Sequence, residues 1–263
     1  MSNVGDLVGR LLRLERPLLV ALDVDGTIAP IVRDPDMAEI PPETLATLAA
    51  LRAAPEIEIA LVTGRDLASL RRMVQLEGIW RAVEHGGVVL APGEAPGERQ
   101  LSASHQDALA QFERWADLEA TGAFIEHKPQ AIALHVRAIA MQDPERAQRL
   151  MNEADALAQS LGLHVRRGKG LREAEAVLHD KGAALREILG RSGARSVLFI
   201  GADPTDSPAI DVATHHGIGA FVRSPQQRGT PSSSVVELDG VEEVASLLRG
   251  LLAGVPGLSL IHI

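Results

Sequence analysis

The sequence predicts an α/β protein: a doubly wound, mostly parallel sheet with a smaller α+β cap inserted into it. Three observations carry that expectation. Apolar runs at 17–24, 57–64 and 196–203 each stop at charge, hydroxyl or glycine, as strands covered on both faces do. Segments of helical periodicity lie between them, so strands and helices alternate. Between about residues 88 and 175 that rhythm gives way to a different one.

Taken in order, "PLLVALDV" (17–24) is the first strand, and "PPETLATLAALRA" (41–53) opens on prolines, which suit the first turn of a helix. Leu45, Leu48 and Ala49 then share one stripe. "IEIALVTG" (57–64) is a second buried strand, and "DLASLRRMVQLEG" (66–78) a helix through Leu67, Leu70 and Val74. In the inserted stretch "EAPGER" is a loop, and 104–117 carries Leu109, Phe112 and Ala116 on one helical face. "AIALHVR" (131–137) alternates as a half-buried strand should, with His135 and Arg137 on its polar side. Residues 144–162 form an amphipathic helix through Ala147, Leu150, Met151, Ala154, Leu157 and Leu161. The main pattern resumes with a helix at 180–190, the strand "SVLFIGAD" (196–203), a strand at 219–223 and a helix at 241–252. The expected division is therefore 1–87 with 176–263 as the core and 88–175 as a cap, docked through short hinges. Ligands of such sheets bind outside the carboxyl ends of the strands. The acidic and hydroxyl residues fall there.

A chain of 263 residues with 46% hydrophobic content can bury a sizeable core. The formal net charge of −9 argues against nucleic acid and anionic membranes as partners. There is no cysteine, which excludes disulfides and thiolate chemistry and fits a reducing compartment. The amino end lacks an apolar run before a small-residue cleavage site, and no stretch reaches the roughly 20 apolar residues that span a bilayer. The expectation is a cytoplasmic protein, monomeric or weakly oligomeric. The apolar ending "LSLIHI" has no evident partner.

"LVALDVDGTIAPI" (19–31) ends an apolar strand on two acids. If the strand stays extended, Asp23 and Asp25 project to one side, roughly 6–7 Å apart at the backbone. At an effective dielectric near 20 they repel by about 3 kcal/mol, or about two pKa units. A divalent cation would relieve that, hard Mg²⁺ above all. Alternatively one carboxyl keeps its proton and acts as a general acid beside an ionised nucleophile. Both options coexist in an enzyme that forms an aspartyl-phosphate. Gly26 and Thr27 lie where backbone amides could cradle phosphate oxygens.

"DVDGT", "LVTGR", "DKGAAL" and "FIGADPTD" resemble, in order, the four motifs of the haloacid dehalogenase superfamily of phosphotransferases. "DGTIAPIVRDPDMAEIPPETLATLAAL", "FIEHKPQAIALHVR" and "HVRRGKGLREAEAVLHDKGAAL" are similar to segments of trehalose-6-phosphate phosphatases, a likeness covering most of residues 17–225. The resemblance implies a cap inserted between the second and third motifs, Mg²⁺ as cofactor and a phosphorylated sugar, trehalose 6-phosphate, as substrate in trehalose biosynthesis. It makes Asp23 the nucleophile and Asp25 the general acid and base. Thr63 would hydrogen-bond the phosphoryl group, with Gly64 beside it, and Lys181 would neutralise charge. That allocation is chemically coherent, because phosphoryl transfer needs positioning and donors aimed at equatorial oxygens. Arg65 would be a supporting cation at the phosphate. Glu126, Lys128, His135, Arg137 and Glu173 match positions that contact the disaccharide.

The fourth motif departs from the pattern. Related phosphatases read Gly-Asp-Asp-x-Thr-Asp-Glu, whereas this chain has Gly201, Ala202, Asp203, Pro204, Thr205, Asp206, Ser207. A methyl group cannot coordinate a hard cation, so a metal site with Asp23 and Asp25 would use Asp203, lean on Asp206 through water, or bind metal weakly. The family's glutamate after His-Gly is missing at Gly87 and Val88, and "EAEA" (173–176) lacks a basic residue and a proline. Another sugar phosphate, or binding without catalysis, are therefore the alternative expectations. The histidines at 85, 127, 164, 179, 215 and 216 form no convincing metal spacing. Arg166, Arg167 and Lys169 form a compact basic run that either attracts a phosphorylated substrate or is a solvated hairpin.

Overall fold

The structure, a computed structural model, describes residues 4–32, 37–97, 101–128, 130–168, 170–177, 180–223 and 235–255. It divides into two units, Met1–Pro96 with His179–Ile263, and Gly97–Leu178. The first begins with a helix that the sequence reading did not anticipate, α1 (Val4–Leu12), and continues through β1 (Leu18–Leu22), α2 (Pro42–Ala53), β2 (Ile57–Val62), α3 (Leu67–Met73), β3 (Trp80–Val83) and β4 (Val88–Leu90). The second holds α4 (Ala103–Glu119), β5 (Phe124–Lys128), β6 (Ala131–His135), α5 (Arg137–Ala140), α6 (Pro144–Ser160), β7 (His164–Gly168) and β8 (Leu171–Glu175). The chain then returns to the first unit with α7 (Lys181–Ser192), β9 (Ser196–Gly201), α8 (Ser207–His216), β10 (Gly217–Val222), β11 (Val236–Leu238) and α9 (Val241–Gly254).

The seven-stranded sheet runs β11-β10-β9-β1-β2-β3-β4, parallel throughout except for the antiparallel edge pair β3–β4. The central strand shows why its sequence is apolar without alternation. Leu18, Val20 and Leu22 join one core with Leu48, Leu51 and Leu248, while Leu19 and Ala21 join another with Leu185, Ile188 and Ile210. Helices cover both faces, so every position of β1 is buried. From β1 the chain moves to β2 on one side and later pairs β9 on the other, which places a topological switch point at its carboxyl end.

Two expectations need correction here. The change of rhythm in the sequence puts the start of the cap at residue 88, but Val88–Leu90 pairs with β3 as the edge of the main sheet, and the two units part near residues 96 and 178. Three residues on an edge are too short for a period to show. The helix expected over 66–78 ends at Met73. Arg81, buried, donates to the Leu76 carbonyl at 2.6 Å and holds this stretch in an unhelical path.

The second unit is a four-stranded antiparallel sheet, β5-β6-β8-β7, with α4 and α6 on one face. Phe112, Leu134, Val136, Leu150 and Ala154 form its own core. No helix among the described residues is long and apolar enough to cross a membrane. The tail "LSLIHI", Lys169 and His179 lie outside the described residues.

Candidate active site

β1 ends at Leu22, and the following residues make a tight turn at the carboxyl end of the sheet. The Asp23 amide still donates to Ile200 of β9 at 2.9 Å, so the first acid continues the ladder. The Val24 carbonyl then accepts from Thr27, Ile28 and Ala29, and the Gly26 amide donates to Ala29 at 2.7 Å. Gly26 sits at φ +83°, where a Cβ would also stand 3.1 Å from that of Ala202. The amides of Gly26 and Thr27 are thus spent inside the turn, and neither residue lines the cavity described below. The expected phosphate cradle is not formed by them.

The two acids do not share one relief for their repulsion; each has its own cation. Asp23, 4% exposed, accepts Lys181 Nζ on Oδ1 at 2.7 Å and the Thr27 hydroxyl on Oδ2 at 3.2 Å. Lys181 opens α7, which Asp180 caps by accepting the Ala183 amide. The same ammonium, 2% exposed, donates to Asp206 Oδ1 at 2.5 Å. Asp206 is fully buried, and its Oδ2 accepts the amides of Ala202 and Asp203 at 2.9 and 2.8 Å. Burial pushes the Asp23 carboxyl up, Lys181 pulls it back and the charge of Asp206 raises it again, to about 7. Burial alone would lower the Lys181 amine, but the charges and hydrogen bonds of its two carboxylates outweigh that and hold it above its ordinary value. The ammonium stays charged.

Asp25 pairs with Arg65. The guanidinium forks onto it, Nε to Oδ2 at 2.7 Å and Nη2 to Oδ1 at 2.6 Å, while Nη1 donates to Ser69 Oγ at 3.0 Å. The sequence places Arg65 at the phosphate; the structure engages it with the second acid. Thr63 directly follows β2, donates its amide to the Ala82 carbonyl at 2.8 Å, and accepts the Arg65 amide on its hydroxyl oxygen at 3.2 Å.

These residues wall a cavity of about 540 Å³. Asp23, Asp25, Thr63, Gly64, Arg65 and Lys181 line it together with Asp203 and Thr205, and Ile31 and Val32 expose apolar surface at its side. Asp206, expected as a metal ligand, is absent from that lining; it is a buried anchor for Lys181, saturated by one ammonium and two amides. Asp203 caps the short turn Pro204–Asp206 through the Thr205 amide. Among the described residues no three acidic or histidine side chains gather closely enough to hold a metal.

His85 also lines the cavity, a residue the sequence reading set aside with the other histidines. It lies in the left-handed region at φ 56°, beside Glu84 at φ 53°. Its signal in the sequence is its place before two glycines, Gly86 and Gly87.

In the second unit, Glu126, Ala133, Glu173 and Arg166 stand in one register row across the sheet, and Lys128, Ala131, Glu175 and His164 in another. Lys128 Nζ bonds Glu173 at 2.8 Å, and His135 Nε2 pairs with Glu126 at 2.9 Å. Four of the five residues expected to contact sugar therefore meet on one face. Arg137 lies past the end of β6, which stops at His135, and opens the helical turn α5. Arg166 is held by Glu175 at 2.7 Å, and Arg167 by Asp155 at 2.9 Å, so the two described arginines of the basic run are each paired with an acid.

With this geometry established, residues 21–243 match the family model described as trehalose-phosphatase. The chain belongs to the trehalose-phosphatase family. It is 32% identical over 253 residues to a Mycobacterium tuberculosis protein described as an uncharacterized glycosyl hydrolase, an alignment covering 92% of this chain and 19% of that one. It is 30% identical over 261 residues to the trehalose-phosphate phosphatase of Mycobacterium ulcerans, covering 93% of this chain and 65% of that one. The chain thus spans less than two thirds of the length of these relatives. Among solved structures, the trehalose-6-phosphate phosphatase of Aspergillus fumigatus superposes with a TM-score of 0.75 at 22% identity, covering 96% and 98% of the two chains. That likeness is one of fold, which is haloacid dehalogenase-like.

Proposed function

We propose that this chain is a Mg²⁺-dependent phosphomonoesterase that hydrolyses trehalose 6-phosphate to trehalose and phosphate through an aspartyl-phosphate on Asp23. The observation that carries the reading is a buried carboxylate, held by its own ammonium, at the carboxyl end of the central strand and on the wall of a cavity. Asp23 attacks phosphorus, the bond to the sugar oxygen breaks, and that oxygen takes a proton from Asp25. Water then attacks the aspartyl-phosphate, Asp25 accepts its proton, and phosphate leaves with Asp23 restored. Lys181 holds the attacking oxygen's partner and offsets negative charge during transfer. The Thr63 oxygen already accepts the Arg65 amide, so its own proton is left to donate to a phosphoryl oxygen.

Phosphatases of this superfamily generally use Mg²⁺. The donor chemistry of the cavity suits it: Asp23, Asp25 and Asp203 line the wall, and the Asp23 oxygens, on Lys181 and Thr27, each keep a further lone pair, whereas both oxygens of Asp25 are forked by Arg65 and Asp206 is absent from the lining. Asp23 and Asp203 would hold the ion, which when bound offsets charge between carboxylate and phosphoryl oxygens. The sugar would be met by Glu126, Lys128, His135 and Glu173, whose mixed donors and acceptors suit hydroxyls.

Release of inorganic phosphate from trehalose 6-phosphate, with and without Mg²⁺, tests this. Saturable, Mg²⁺-stimulated release is expected, and Asp23→Asn should lower kcat on the order of 10⁴-fold or more with an unchanged circular dichroism spectrum. No release from this ester by the wild-type chain would sink the reading. Hydrolysis of another sugar phosphate is the second reading, favoured by Glu175, which adds a buried acid to the polar face beside Glu173. A panel of phosphorylated sugars ranked by kcat/KM decides between them.

A further inference from the structure

Arg65 stands where its motif suggests a phosphate-binding cation, yet three of its side-chain donors are engaged within the protein. Two take both oxygens of Asp25, and the third is on Ser69, whose amide is fixed in turn by Asp66 at the start of α3. The Arg65 backbone amide is tied to Thr63 as well. The guanidinium side chain is 10% exposed and the Asp25 side chain 40%, so the cation is packed behind an acid that remains open to solvent. An aspartate carboxyl otherwise turns in a broad, two-fold well. A planar fork on both oxygens removes that rotation, and each oxygen keeps a further lone pair for a proton.

We propose that Arg65 is a positioning residue for Asp25, with Ser69 as its anchor, and is not a ligand of the phosphoryl group. The inference rests on the proposed aspartyl-phosphate chemistry and adds to it the group that aims the general acid and base. Attack by Asp23 on an ester whose leaving group needs no proton is then insensitive to Arg65. Departure of a sugar alkoxide, and activation of water on the aspartyl-phosphate, both depend on it.

The test uses the full chain and Arg65→Lys, which keeps the charge and loses the fork. With enzyme in excess over p-nitrophenyl phosphate, rapid mixing follows p-nitrophenolate, which reports attack, and inorganic phosphate, which reports the second step. The expected result is a p-nitrophenolate rate within about threefold of wild type, and phosphate release slower by roughly 10–100-fold. Steady-state kcat on trehalose 6-phosphate should fall by a similar factor, with KM within about twofold. Ser69→Ala should move the same rates in the same direction by a smaller factor, which keeps the test intact if Arg65→Lys folds poorly. Equal loss in both phases together with a raised KM would make Arg65 a phosphoryl ligand and overturn the proposal. Wild-type rates in both variants would overturn it too. Failure of the underlying chemistry has a different signature: the wild-type chain itself would release no p-nitrophenolate and no phosphate.

Discussion

Lys181 is one ammonium set between two carboxylates, with almost no solvent to share the work. Removing it leaves Asp23 and Asp206 as buried like charges, and breaking a buried pair costs about 3–5 kcal/mol. Lys181→Met should therefore melt well below wild type at pH 7.5. The pH dependence follows from Asp23, whose carboxyl is already raised to about 7, chiefly by burial, and which loses its main opposing influence with Lys181. The native state of the variant then binds protons at a pH where the unfolded chain, near pKa 3.9, does not. A native state that binds more protons loses stability as pH rises and recovers it as pH falls. Thermal unfolding followed by circular dichroism at pH 5.5 and 7.5 should show the gap to wild type narrowing at the lower pH. A gap that widens would mean that Asp23 is not the group responsible.

At the scale of elements, the turn after β3 holds the site's loops in register. Glu84, His85 and Gly86 are successive residues at positive φ, and the amides of Glu84 and His85 donate to Arg65 and Thr63 at 2.9 and 3.0 Å. Non-glycine residues in that region cost of order 1–3 kcal/mol each, so the surrounding contacts must over-determine the turn. Its far side packs on α7: a Cβ on Gly86 would lie 2.6 Å from the Asp180 carbonyl. Gly86→Ala should destabilise by about 2–3 kcal/mol, read from the urea midpoint at constant m, and lower kcat because Asp180 and Lys181 must shift. Gly93→Ala, with a similar φ of +77° and nothing within 4 Å, should cost only about 1–2 kcal/mol and leave kcat unchanged. The sequence carried β1, β2 and β9 plainly, because strands covered on both faces read as unbroken apolar runs. It carried β5, "FIEHK", only as an extended stretch with Glu126 and Lys128 on one side, and it did not carry β7, "HVRRG", because the open face of both is filled by ion pairs. Nor could it carry the partner of Arg65, 40 positions away, because that depends on how Asp25 turns once the strand has ended.

At the scale of the whole molecule, the chain builds separate cores. Those of the first unit close on β1 from both faces, and that of the second closes on Phe112 between its sheet and helices. All four proposed catalytic side chains, Asp23, Asp25, Thr63 and Lys181, belong to the first unit, on either side of the segment that forms the second. A segment with its own sheet and its own core has what cooperative folding requires. Residues 97–178 produced alone should give a far-ultraviolet spectrum of mixed helix and strand and one urea transition, with m near 1 kcal/mol/M. They should release no phosphate from any ester. Phe112→Ala removes a fully buried ring, a change that costs about 3–5 kcal/mol. That is comparable to the whole stability of so small a unit. In isolation the variant should be unfolded. In the full chain it should abolish the transition of the second unit and leave that of the first in place, whereas a single merged loss of structure would show that the first unit depends on the second for its fold.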